Sequence, residues 1–169
     1  MNKDDFNFNL RDTKSPYTVI EQSLAQIEDV TQSYVSGHIE EYKGNLEIKG
    51  LDQNLKQMHS VLTFDNIAKI QHSLGVQGDE KKQYEIFLAV KGLEHYKYRL
   101  FFIVYGSISY PAKIILNESL SQELESVRGI ISIQSMLDLE DFLHKIFDLE
   151  AIKNLIQELI FEALRMETD

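Results

Sequence analysis

Two runs of alternating apolar and polar residues dominate the middle of the chain. Tyr84, Ile86, Leu88 and Val90 share one strand face, and Tyr96, Tyr98, Leu100, Phe102 and Val104 share another. The polar turn Gly92-Leu93-Glu94-His95 between them predicts a β-hairpin. A third run, Tyr110 to Leu116, follows Gly106 and predicts a third antiparallel strand. The middle run is apolar on both faces, because Phe101, Ile103 and Tyr105 alternate with Leu100, Phe102 and Val104. A strand buried on both faces belongs in the centre of a covered sheet.

Helical spacing governs the flanks. Ser15-Pro16 supplies an N-cap hydroxyl and a proline at the first helical position. Tyr17, Ile20, Leu24, Ile27 and Tyr34 then predict one amphipathic helix to about Ser36, ended by Gly37. The stretch 38–50 reads two ways: Ile39 and Tyr42 could extend the helix, while Leu46 and Ile48 alternate as a short strand. Leu51, Leu55, Met58 and Leu62, then Ile67, Ile70 and Leu74, predict two further helical pieces closed by Gly75. Beyond the hairpin, 119–127 reads as a short helix closed by Gly129, and Ile130, Ile131 and Ile133 as a brief fourth strand. Asp138 and Asp148 are expected to cap two final helices. The expected fold is α+β: a three- to four-stranded, mostly antiparallel sheet packed by N-terminal helices and a C-terminal helical hairpin. Residues 1–14 form a flexible or edge-strand arm, and 15–169 a single domain.

Charge and composition narrow the choice of partners. The formal net charge is −10, unevenly spread: residues 117–169 carry four Lys and Arg against twelve Asp and Glu, whereas 76–116 carry six against four. An acidic total disfavours general nucleic-acid affinity and binding to anionic membranes, both of which need cationic surface. No run approaches the ~18 apolar residues of a membrane span, and the acidic start MNKDDFNFNLRD is no secretory signal. Cysteine is absent, which removes disulfides, thiolate nucleophiles and Cys-based zinc sites. The expectation is a cytoplasmic protein with no membrane contact, and abundant Ile, Lys, Asn and Glu hint at a bacterial or phage genome.

Catalytic templates mostly fail: there is no Gly-rich phosphate loop, no Gly-x-Ser-x-Gly elbow and no His-Glu-x-x-His. The five histidines are scattered, and no metal or other cofactor is expected. The most pointed enzymatic pattern is Glu47-Ile48-Lys49, a Glu-x-Lys on a short strand. A metal-dependent nuclease could use Glu47 as a hard oxygen ligand and Lys49 to steady water or phosphate, provided a second carboxylate lies nearby. A second alternative is a nucleic-acid face in which Lys91, Lys97 and Arg99 line up with Phe87, Phe101 and Tyr105, joined by Lys113. Interleaved cations and aromatics can hold phosphates and stack bases, although the overall acidity weighs against it.

The leading expectation rests on the last helix. Leu155, Ile156, Leu159 and Ile160 belong to an apolar stripe close to half the helix circumference, with Phe161 beside it. A surface helix needs only about 100° of apolar surface, so this one should meet the core and something else. Glu158 and Glu162 would form the rim of that contact. The chain therefore reads as a small acidic, non-enzymatic protein-interaction module, homodimeric and bound to another protein. An immunity- or antitoxin-like inhibitor, a secretion chaperone or a phage-encoded modulator would suit that reading.

Overall fold

A computed structural model describes residues 10–44, 46, 81–126 and 129–168. The order of elements is α1 (Pro16–Val30), β1 (Val35–Glu41), β2 (Lys82–Val90), β3 (Leu93–Tyr105), β4 (Ala112–Leu116), α2 (Glu118–Glu123), β5 (Ile130–Ile133), α3 (Met136–Asp148) and α4 (Glu150–Thr168). The protein is α+β, and its sheet is an antiparallel meander in the order β1-β2-β3-β4-β5. Five strands replace the three or four expected. The doubly apolar β3 is the central one, as its sequence requires.

The additional strand is β1, and its neighbourhood corrects the reading of the first helix. Ser15 does cap α1, accepting from the Thr18 N–H at 3.4 Å. The helix stops at Val30, however, six residues before Ser36. Thr31 ends it: its buried hydroxyl lies 2.8 Å from the Ile27 carbonyl and 2.9 Å from that of Val35. Gln32 and Ser33 then take positive φ of 53° and 64° and reverse the chain. Gly37 is not a helix terminator. It lies within β1 opposite Leu88, where Leu24 of α1 presses on the strand. The helices expected over 51–74 lie outside the described residues.

One face of the sheet carries the core. Val35, Ile86, Leu88, Ile103, Ile114 and Ile133 point toward the helices and are all but inaccessible. Val19, Ile20 and Leu24 of α1, Leu139, Phe142 and Ile146 of α3, and Ile152, Leu159 and Ala163 of α4 complete it. Phe142 meets Phe101 edge-on, with ring centroids 5.2 Å apart. Such pairs contribute ~0.5–1.5 kcal/mol beyond their buried area.

Simple alternation fails along β3. Ile86 pairs with Phe101 but Phe87 pairs with Arg99, so Leu100 is an extra, buried residue in the strand. This bulge shifts the side-chain phase by one. Phe101, Ile103 and Tyr105 consequently face the helices, whereas Lys97 and Arg99 face the other way with Phe87 and Phe102. The hairpin turn itself is tighter than expected, with Lys91 and Gly92 between the strands and Gly92 at φ 87°.

The C-terminal helices form consecutively, as the spacing implied, with different caps. Ser135 is the N-cap of α3, accepting from the Asp138 N–H at 3.2 Å, while Asp138 Oδ2 accepts from the Gln134 N–H at 3.1 Å. Residues 10–14 form no strand. Asp12 accepts from the Met136 N–H at 2.7 Å, and the Lys14 carbonyl accepts from the Tyr110 hydroxyl at 3.2 Å.

Candidate interaction surfaces

Two surfaces contain residues singled out from the sequence, and another was not foreseen. The first is the sheet face turned away from the core. There His38 stacks on Phe87 at 5.2 Å, and Lys97 lies 4.2 Å above the same ring while bonding Glu40 at 2.9 Å. Beside that stack, Tyr42 meets Phe102 at 4.8 Å, and Arg99 sits 4.6 Å over Phe102 while bonding Glu85 at 2.5 Å. Each cation is therefore held between an aromatic face and a carboxylate. An exposed cation–π contact contributes ~0.5–1 kcal/mol and an exposed ion pair ~0.2–1 kcal/mol.

This arrangement changes the composition of the basic cluster expected from sequence. Lys97, Arg99 and Phe87 do come together, and Lys113 is on the same face, opposite Val104. Phe101 and Tyr105 are on the opposite face because of the bulge. Lys91 is elsewhere again: it bonds Glu167 of α4 at 2.9 Å and lies 5.3 Å over the Tyr34 ring, tying the hairpin tip to the end of the last helix. The Lys91 ammonium holds the Glu167 carboxyl below its ordinary range, and Glu167 in turn raises Lys91. Sequence spacing does not place His38, Glu40 and Tyr42 on this face, because it does not mark β1 as a strand. A phosphate reaching Lys97 or Arg99 would have to displace a carboxylate already in place.

The second surface is α4. Ile152, Leu159 and Ala163 are buried, and Leu155, Ile156 and Ile160 are half-buried against the core. Most of the wide stripe thus belongs to the fold. Facing solvent are Phe161 and Leu164, 44% and 40% exposed, beside half-buried Ile160. Glu158 is exposed nearby, and Glu162 pairs with Arg165 one turn on.

The third group, Glu47 and Lys49, lies outside the described residues. Among the described residues no cluster of His, Asp and Glu could hold a metal ion, and no helix is long and apolar enough to cross a membrane.

The unforeseen surface flanks α3. An open groove of about 540 Å³ runs between α3 and β5, floored by Leu124, Ile131, Ile133 and Phe142, with Asp141 and Lys145 on its rim. On the other side of α3 a groove of about 620 Å³ separates it from α1, with Val19, Ile27, Leu143 and Phe147 among its walls. No periodicity signal could have revealed either groove, since each is made by the packing of two separate elements and not by the spacing within one.

Two tyrosines are perturbed by burial. Tyr84 lies between Tyr17 at 5.3 Å and Tyr105 at 5.9 Å. Burial pushes the Tyr105 phenol well up from its ordinary value. Burial also raises Tyr110, to about 12, aided by the negative charges of Asp12 and Glu140.

No protein-family model matches the chain, and neither a curated protein nor a solved structure is significantly similar to it.

Proposed function

We propose that this protein is a non-enzymatic, intracellular protein-interaction module. It works as a homodimer and meets another protein through the solvent flank of α4. The observation that carries this reading is the adjacency of Ile160, Phe161 and Leu164 on that flank, two of them left substantially in water. Single exposed apolar residues are ordinary, but neighbours at i, i+1 and i+4 form a small patch that a partner can cover. Burying a Phe or Leu side chain fully contributes ~1.5–3 kcal/mol, so two such anchors supply a useful share of a modest affinity. Glu158 and Glu162 at the rim, within a strongly acidic C-terminal third, favour approach by a basic partner. An inhibitor of the immunity or antitoxin type, a secretion chaperone and a phage-encoded modulator all fit such a surface.

The test is affinity capture with chemical crosslinking from cells that make the protein, comparing wild type with Phe161→Asp/Leu164→Asp. A protein retained by wild type and lost by the double variant, at unchanged far-UV ellipticity, supports the reading. Equal retention of every captured protein refutes it.

A further inference from the structure

The two edges of the sheet are built differently. The β1 edge carries His38, Glu40 and Glu41, the kind of charged residues that discourage another strand from pairing. The β5 edge reads Ile130-Ile131-Ser132-Ile133, with no charge, proline or glycine. Strand β5 is last in the sheet and pairs, among the described residues, with β4 alone. An uncharged edge that no second described strand pairs with is a template for one more strand.

Helix α3 gives that edge a direction. It follows β5 after only Gln134 and Ser135, so it runs back along the strand. Four strand residues span ~10 Å, and the seven steps from Asp138 to Lys145 rise by about the same. Asp138 is fixed at the Ile133 end by its bond to the Gln134 N–H, which places Lys145 toward the Ile130 end. Leu137, Asp141 and Lys145 follow one another at i, i+4 and i+8 along this flank, and Leu137 is 63% exposed. Neither Asp141 nor Lys145 forms an ion pair among the described residues. The flank is thus acidic at one end and basic at the other. A two-fold axis through the middle of β5 brings each end onto its complement, which is the condition a symmetric interface must meet.

We propose that a second copy of this chain docks antiparallel on the free edge of β5. The two sheets become continuous, and Lys145 of each copy faces the Asp138 and Asp141 end of the other. This rests on the homodimer reading above but gives the dimer a surface separate from α4. A four-residue strand alone is too small for a stable interface, which commonly covers ~1,200–2,000 Å² in total. The α3 flanks, with Leu137 and the apolar groove floor, contribute the rest.

The experiment is sedimentation equilibrium on the full chain for wild type, Lys145→Glu, Asp141→Lys and an equimolar mixture of the two variants. Both positions are exposed on α3, and far-UV ellipticity checks that each variant folds. Wild type is expected to be dimeric. Each single reversal turns two symmetry-related attractions into repulsions and should weaken the dimer by roughly tenfold or more, less at high salt. The mixture should recover near-wild-type affinity as a heterodimer, because Glu at 145 of one copy then meets Lys at 141 of the other. A wild-type dimer indifferent to both reversals overturns docking at β5 while leaving the homodimer reading intact. Weakening without recovery in the mixture overturns the charge register proposed. A monomeric wild type overturns this docking and the homodimer reading together, leaving the α4 surface to be judged by its own capture experiment.

Discussion

At Gly37 the side chain of Leu24 on α1 packs directly on β1, and replacing the glycine measures that contact. A Cβ at Gly37 would lie 2.5 Å from Leu24 Cδ2, 2.8 Å from its Cβ and 3.0 Å from its Cγ. Rotating the Leu24 side chain moves Cδ2 but not Cβ, so a rotamer change cannot clear the clash. Helix α1 must move off the sheet. Overpacking of this kind costs ~1–3 kcal/mol, and the stiffer unfolded chain of an alanine variant returns ~0.4–1 kcal/mol. Gly37→Ala should therefore destabilise by about 1–2 kcal/mol. Leu24 is 4% exposed, and Leu24→Ala should cost ~2–5 kcal/mol by leaving a cavity. The informative quantity is their coupling. Leu24→Ala removes Cγ and Cδ2 but keeps Cβ, so the double variant should be more stable than additivity allows by about 1 kcal/mol. Urea unfolding followed by ellipticity gives all three values. A helix-terminating glycine at positive φ would also be hurt by alanine, but with no dependence on Leu24. Strict additivity, or a neutral Gly37→Ala, would falsify the packing argument.

Three further outcomes are expected. Leu159→Asp should unfold the protein or cost more than about 3 kcal/mol, because it places a carboxylate among core side chains; Phe161→Asp, two residues on at the surface, should stay within about 0.5 kcal/mol in thermal melts. Stability should be complete below pH 10, the ordinary phenol value, and fall as the pH rises toward and past the folded Tyr110 value of about 12. The sign follows because burial holds the neutral phenol in the folded state, whereas the unfolded chain ionises earlier. Tyr110→Phe should lessen that loss, leaving the part owed to the raised Tyr105 phenol, and an unchanged alkaline profile in urea titrations at pH 9 to 12 would count against it. Gly92, at φ 87°, should tolerate alanine poorly, at a cost of about 1 kcal/mol read from the urea midpoint.

The chain by itself determined the local choices. Period-two runs of β-branched and aromatic residues made β2, β3 and β4 strands, and a short isoleucine-rich run made β5. The doubly apolar β3 took the central position, although helices cover only one of its faces and Phe102 and Val104 on the other stay half-buried. Ser15-Pro16 started α1, and the apolar spacing of the last thirty residues made two consecutive helices. What the sequence could not carry were facts set by neighbours distant along the chain. The spacing of Ile27 and Tyr34 suits a helix, yet Thr31 and the positive φ of Gln32 and Ser33 reverse the backbone because β1 gains a ladder of bonds to β2. The bulge at Leu100 leaves the composition of β3 unchanged but switches its faces, sending Phe101 and Tyr105 to the core and Lys97 and Arg99 to the opposite side. The apolar width of α4 was plain from its residues. How that width divides between core and solvent was decided by the elements packed against it, because burial is a property of contacts and periodicity records only which side chains could make them.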